Sequence, residues 1–314
     1  MSTIIVTDSA CDLPDAFVEQ NPIKKLPLNI YLNGETFPDK TTEAERLAIY
    51  QKGSLSREHD ASSQPSSVDD VYHYFLDKIA VQHDFAIGQT VSKARSPNFE
   101  NWQSAAGLVQ RDYHKLRAAG GRTGSFGIRI INSGTMFTGQ GILAAHSCKL
   151  IHDGIGRNQL RREIEDFKLK IRTLAVPRDV AYLRERARKK GDKSIGFLAS
   201  LVGKTMDISP ILRGYQDVTE PVVKVRGREA AVNRMFTYAM HRMNEGLCTP
   251  YIVVSIAGDP LALEQFEKFR EMKILAKAKD IRVMTTVMNL SGGINMGPDT
   301  VAISLASDNE VLDV

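Results

Sequence analysis

Short apolar runs recur along the first half of the chain, and each of them ends in small polar residues. The first run covers residues 3–7 and stops at Asp8, and two similar runs cover 84–91 and 127–133. Continuous runs rich in β-branched residues are typical of strands that are buried on both faces of a parallel sheet. We therefore predict an N-terminal parallel sheet flanked by helices, with its ligand site beyond the carboxyl ends of the strands.

The segment ASSQPSS at residues 61–67 is polar but uncharged, and apolar residues at helical spacing follow it. Ser67, with Asp70 three residues later, predicts a capping box at the start of that helix. Ser62 and Ser63 precede the cap, so capping gives them no role. We expect their hydroxyls to face a ligand.

The second half of the chain also alternates between helical and strand-like patterns. Helices are predicted over residues 160–170 and 261–279, and strands over 171–176, 251–257, 281–287 and 300–305. Such alternation is typical of an α/β protein. We predict two domains: an N-terminal α/β domain over 1–158, and a C-terminal α/β domain with a mixed or antiparallel sheet over 159–314.

The composition agrees with two domains and argues against disulfide-rich, zinc-binding and membrane-spanning proteins. The chain has 314 residues, of which 42% are hydrophobic, enough to bury two cores. Its three cysteines are odd in number and far apart, which argues against a disulfide framework and structural zinc. The first residues lack a basic segment and a long apolar run, so we do not expect them to be a signal peptide, and no run of about 18 apolar residues is present. We expect a cytoplasmic protein with no metal, no cofactor and no membrane span, and at most transient membrane contact.

Positive charge is concentrated in the middle third of the chain. The net charge is +4 overall, whereas residues 157–228 hold 18 Lys and Arg against 9 Asp and Glu. We predict that Arg186, Arg188, Lys204 and Arg226 belong to a docking face for an acidic protein partner. The alternative is an ordinary solvated helix face. No nucleic-acid partner is expected.

Candidate chemistry lies in loops that carry hydroxyl groups. The chain has no P-loop, no GxSxG, no HExxH and no dinucleotide-binding glycine motif. Hydroxyls at Ser9, at Ser62 and Ser63, and at Ser92 suit the binding of an anionic head group. They do not suit general acid–base catalysis, which needs a group that titrates near neutral pH. The residues therefore favour a binding protein over an enzyme.

Five segments, in chain order, resemble the motifs of the DegV family. They are TDSACDLP at 7–14, SSQPS at 62–66, NSGTMFTGQG at 132–141, ISPIL at 208–212 followed by KVRG at 224–227, and NMGPDT at 295–300. This resemblance spans nearly the whole chain. It implies two α/β domains that bind a long-chain fatty acid, with the acyl chain buried in the N-terminal domain and the carboxylate near the inter-domain cleft.

The resemblance also implies a role and a set of contacts. In this family a separate fatty acid kinase phosphorylates the bound carboxylate, and the DegV protein is a carrier rather than the catalyst. The family's carboxylate contacts correspond to Ser62 and Ser92. Lys93 and Asn295 depart from the family pattern beside the head group, Asn295 standing where the family has histidine. With Ser63 and Ser9, these residues form the predicted ligand site.

Two alternatives from other functional classes stay open at this point. One is an enzyme that transfers a phosphoryl or acyl group, with Asp8 as the reactive carboxylate and Lys93 and Arg95 as an anion clamp. The other is an interaction module whose pocket is closed by Lys93 and Arg95. Turnover that is lost on Asp8→Asn would favour the enzyme, and the lack of any co-purifying ligand would favour the closed module.

Overall fold

A computed structural model describes residues 2–57, 59–189 and 207–311. Its strands, in chain order, are β1 (Thr3–Asp8), β2 (Ile23–Leu26), β3 (Asn29–Leu32), β4 (Glu35–Pro38), β5 (Ala61–Gln64), β6 (Phe85–Thr90), β7 (Gly127–Asn132), β8 (Ile171–Val176), β9 (Ile208–Tyr215), β10 (Val218–Arg226), β11 (Tyr251–Ile256), β12 (Arg282–Val287) and β13 (Val301–Ala306).

The α-helices are α1 (Asp15–Gln20), α2 (Glu43–Gln51), α3 (Val68–His73), α4 (Asn98–Ala119), α5 (Thr138–His152), α6 (Arg157–Lys168), α7 (Val180–Lys189), α8 (Arg228–Glu245), α9 (Glu267–Ala278) and α10 (Leu290–Met296). A π-helical segment at Tyr74–Ala80 continues α3. A 3-10 helix at Pro260–Gln265 precedes α9, so the helix predicted over 261–279 is interrupted at Phe266.

The first sheet is fully parallel, with strand order β2-β1-β6-β7. Ile4 and Val6 of β1 pack in the cluster that contains Trp102 of α4, whereas Ile5 packs in the cluster that contains Ile142 of α5. Because successive residues of a strand point to opposite faces, both faces of this strand are covered by helices. The prediction that the apolar run at residues 3–7 is a strand buried on both faces is therefore confirmed.

The second sheet is mixed and has the order β10-β9-β8-β13-β11-β12. Only the pair β11–β12 is parallel among its described pairs. Helices α8 and α9 cover one face, and α5 contacts β8, β11 and β13 on the other. The predicted fold class, a parallel N-terminal sheet and a mixed C-terminal sheet, is confirmed. The boundary near residue 158 stays a prediction.

Helix α5 lies between the two sheets, and two of its glycines allow the close approach. A Cβ atom at Gly141 would lie 2.0 Å from the Asp12 carbonyl oxygen, and one at Gly139 would lie 2.2 Å from Thr135 Oγ1. No side chain fits at either distance. The GxG spacing in this segment is therefore explained by packing.

A third, small sheet has the order β4-β3-β5 and contains the first half of the ASSQPSS segment. Ala61–Gln64 is strand β5, which was not predicted, and Ser67 caps α3 with the predicted capping box to Asp70. The hairpin β9–β10 was also not predicted. Within the described ranges, no helix is long and apolar enough to cross a membrane.

Candidate functional site

A cavity of about 820 Å³ lies between the small sheet, helices α7 and α10, and the hairpin β9–β10. Its apolar wall is made of side chains that are buried in the fold: Ala10, Leu28, Val91, Met136, Phe137, Leu183, Ala187, Leu212 and Met296. The volume is within the range of pockets that enclose small-molecule ligands. The wall therefore provides an apolar environment for a long hydrocarbon chain.

Phe137 reaches this wall through an unusual backbone conformation. Its φ angle is +52°, a region that a bulky residue rarely adopts. Its carbonyl oxygen accepts hydrogen bonds from the backbone N–H groups of Asp12 and Gly141, at 3.2 and 3.1 Å. These bonds hold the strained residue at the start of α5, where its ring lines the cavity.

Three polar side chains meet on one part of the cavity wall: Ser63 of β5, and Ser291 and Asn295 of α10. Ser291 Oγ donates to Ser63 Oγ at 2.9 Å, and Asn295 Nδ2 donates to the Ser291 carbonyl at 2.7 Å and approaches Ser63 Oγ at 3.5 Å. Ser63 is thus an acceptor for its neighbours. In the part of the chain that the structure describes, its own hydroxyl proton has no acceptor, so it can donate to a ligand.

Arg186 of α7 also lines the cavity, and it is only 7% exposed. Its Nη1 donates to the Ala61 carbonyl at 2.8 Å, and its Nη2 donates to the His59 carbonyl at 3.2 Å. The guanidinium also lies 5.0 Å from the centre of the Tyr182 ring. The side chain is therefore fixed against the start of β5 and is not part of an exposed face.

The docking prediction changes accordingly. Arg186 was predicted as a docking residue, but burial removes it from any surface that a protein partner can touch. Arg188 and Arg226 are exposed, and Lys204 lies outside the described residues. A docking role for Arg188 and Arg226 stays a prediction.

The predicted ligand residues separate into two groups. Ser63 and Asn295 line the cavity, whereas Ser62 pairs with Tyr31 and lies on the opposite side of β5 from Ser63. Ser9 is buried, and its Oγ accepts a hydrogen bond from the Leu28 N–H at 3.0 Å. Ser62 and Ser9 are not among the residues that line the cavity.

Ser92 and Lys93 lie beside the cavity but do not line it. The Ser92 hydroxyl donates to Asp217 Oδ1 at 2.6 Å, so its proton is used within the protein. Asp217 also accepts from Asn132 Nδ2 at 2.8 Å, and its N–H donates to the Gly134 carbonyl at 2.8 Å. The Lys93 side chain is exposed. The hydroxyl that was assigned to a ligand carboxylate therefore binds the carboxylate at the tip of the β9–β10 hairpin.

Asp8, the candidate reactive carboxylate, is completely buried and does not line the cavity. It accepts hydrogen bonds from four donors: the Val91 and Ala10 N–H groups and the side-chain amides of Asn98 and Gln140. Burial raises the pKa of this carboxyl above its ordinary value, and the hydrogen bonds oppose the rise. The carboxylate thus orders the loops at the end of β1 and is not among the groups that a ligand in the cavity would contact.

Sequence reasoning missed Ser291, Asp217 and the placement of Arg186. A signal for Arg186 existed, because Leu183 and Tyr182 precede it by three and four residues and therefore share its helical face. Among the described residues, no group of His, Cys, Asp or Glu side chains is arranged to hold a metal ion.

Comparisons with known proteins identify the family. The family model described as "Uncharacterised protein, DegV family" matches residues 2–308. The chain belongs to the DegV family. A DegV domain-containing protein of Xanthomonas campestris is 33% identical over 304 residues, which are 97% of each chain.

Solved structures of DegV proteins share the fold. The fatty acid binding protein DegV of Bacillus subtilis superposes with a TM-score of 0.76 at 19% identity, over 98% of this chain and all of that chain. A stearic-acid-binding protein of Eubacterium ventriosum superposes with a TM-score of 0.75, also at 19% identity, over 98% of this chain and 99% of that chain. At these identities the likeness establishes the two-sheet architecture of the DegV family.

Proposed function

We propose that this DegV-family protein binds a long-chain fatty acid, with its acyl chain in the cavity and its carboxylate at Ser63, Ser291 and Asn295. The observation that supports this most is the combination of a cavity wall of buried apolar side chains with hydroxyl and amide groups gathered at one part of it. Solved structures that are similar to this chain and are described as fatty-acid-binding proteins support the same ligand class.

The energy scale favours a ligand with a long hydrocarbon chain. Burial of about 16 carbons, at ~0.8 kcal/mol per methylene, provides on the order of 12 kcal/mol before the costs of association. Each hydrogen bond to the head group adds about 1 kcal/mol net. The acyl chain therefore determines affinity, and the polar cluster determines which end of the ligand lies there.

A carrier role follows from the same arrangement. The buried Asp8 is committed to four donors, and Asp217 is held by Ser92 and Asn132. Neither is arranged as a nucleophile or a general base. We propose that the protein presents the fatty acid to a separate fatty acid kinase in the cytoplasm, with Arg188 and Arg226 on the docking side.

Extraction of the purified protein tests the ligand. Denaturation, solvent extraction and mass spectrometry are expected to release about one fatty acid per chain, whose mass gives the chain length and unsaturation. An empty extract, together with no uptake of added fatty acid, would exclude the proposal and favour the closed interaction module.

The partnership is tested separately with a fatty acid kinase and ATP. The loaded protein should yield an acyl phosphate, and charge reversal at Arg188 and Arg226 should slow its formation without releasing the fatty acid. Unchanged rates for both variants would exclude these residues from the docking face.

A further inference from the structure

We infer that Arg186 is a specificity-determining residue that selects ligands with an ionised acidic head over neutral lipids of the same length. This inference rests on the proposed function. The polar cluster by itself does not make that selection, because serine hydroxyls and an asparagine amide bind neutral alcohols as well as carboxylates.

The position of Arg186 places its charge at the same part of the wall as the polar cluster. Its guanidinium is bonded to the carbonyl of Ala61, and Ser63 is two residues further along the same strand. Helix α10, which provides Ser291 and Asn295, contacts both β5 and α7. The three elements that hold the polar cluster and the guanidinium therefore meet beside the cavity.

The charge of Arg186 is not neutralised within the described part of the protein. Its hydrogen bonds go to two backbone carbonyls, and it forms no ion pair with a described Asp or Glu. Two of the five N–H groups of a guanidinium are used in these bonds. A buried cation without a counterion is costly, and an anionic head group at the wall would supply the missing charge.

The acidic residues that line the cavity are engaged elsewhere. Asp217 is held by Ser92 and Asn132, and Glu220 is paired with Arg213. Among the described residues, neither forms a hydrogen bond or an ion pair with Arg186. The carboxylate of a ligand is therefore the group that best complements this arginine, because a guanidinium binds a carboxylate through charge-assisted hydrogen bonds.

A matched pair of probes tests the inference: stearate and stearyl alcohol, which share their chain and differ in the head group. Binding to the delipidated full chain is measured by displacement of a fluorescent fatty acid. In Arg186→Met, we expect affinity for stearate to fall roughly tenfold or more, because a charge-assisted bond is lost. Affinity for stearyl alcohol should change less than about twofold, since that probe has no charge to lose.

Two further variants separate charge from structure. Arg184→Met, on the exposed side of the same helix, removes a positive charge away from the cavity and should leave both affinities unchanged. Arg186→Lys keeps the charge without the planar fork and should retain part of the preference for stearate. Retained binding of the alcohol in Arg186→Met also shows that the variant is folded.

The outcomes distinguish the inference from the function on which it rests. If the wild-type protein binds neither probe, the proposed function and the inference both fail. If the wild type binds stearate and Arg186→Met keeps the wild-type ratio of the two affinities, the fatty-acid site stands and the inference alone is overturned. Equal losses for both probes would assign Arg186 a structural role and would also overturn it.

Discussion

At the scale of single residues, the orientation of one strand separates two neighbouring serines. Ser63 lines the cavity and accepts a hydrogen bond from Ser291, whereas Ser62 lies on the other side of β5, opposite Tyr31. The family resemblance places the carboxylate contact at Ser62, one residue before Ser63, and that contact stays a prediction. In a strand, one residue changes the face to which a side chain points.

This difference predicts unequal effects of two alanine substitutions. Ser63→Ala removes the hydroxyl proton that is free to donate, and we expect affinity for a fatty acid to fall about tenfold, the equivalent of 1.4 kcal/mol. Ser62→Ala, one residue away, is the matched control and should change affinity less than about twofold. Titration with a fluorescent fatty acid measures both, and a larger loss at Ser62 would return the carboxylate to that residue.

At the scale of secondary-structure elements, α5 and the β9–β10 hairpin build the site without being its polar contacts. Helix α5 separates the two sheets, and Met136 and Phe137, the two residues that precede its first turn, line the cavity. The hairpin closes another side, where Asp217 accepts a hydrogen bond from Ser92, which lies just after β6, and Arg95 Nε donates to Thr219 Oγ1 at 3.1 Å. Both elements depend on close contacts between distant parts of the chain.

The close packing of α5 predicts a cost for one added methyl group. Gly141→Ala places a Cβ against the Asp12 carbonyl, a backbone atom that cannot rotate away, and should lower the free energy of unfolding by about 2–3 kcal/mol. Gly107→Ala, in the interior of α4, meets no atom within 4 Å and should be neutral or stabilising by about 0.5–1 kcal/mol. Urea unfolding compares the two, and equal midpoints would contradict the packing argument.

At the scale of the whole molecule, buried polar contacts join the two sheets. Asp12 accepts hydrogen bonds from Ser255 of β11 and from the backbone and side chain of Asn289, at 2.6 to 2.8 Å. Tyr50 donates to the carbonyls of Met288 and Asn289. Because these groups have little access to water, their geometry fixes how the first loop and α10 lie against each other, and hence the shape of the cavity.

Acid stability provides a prediction at the same scale. His146 of α5 stacks on Phe167 at 3.7 Å between ring centres, and burial lowers the pKa of His146 to about 4. Since the folded-state pKa is below the unfolded value of 6.5, the neutral ring stabilises the fold above about pH 6.5. That contribution is lost as the pH falls from about 6.5 to about 4, and amounts to roughly 3 kcal/mol.

The experiment compares wild type with His146→Gln by urea unfolding at several pH values. The difference between the two unfolding free energies should shrink as the pH falls through this window. The other acidic and histidine groups are common to both proteins and cancel in the comparison. A difference that is constant from pH 7 to pH 4 would contradict the assigned titration.

The sequence by itself determined the local elements of this protein. The buried runs predicted β1, β6 and β7, and the Ser67–Asp70 spacing predicted the cap of α3, because burial on both faces of a strand and capping leave a signature within a few residues. The family motifs predicted the overall architecture. The small sheet and the β9–β10 hairpin were not predicted from the sequence, since their strands are short or carry polar residues without clear alternation.

The tertiary structure alone decided which polar residues face the cavity. It brought Ser92 against Asp217, which is 125 residues away, and it buried Arg186 within a segment whose sequence looks like a charged surface helix. It also selected Ser63 over Ser62. A residue that lines a cavity and one that fills a core have the same periodicity, and only the packing of distant elements leaves space beside one of them.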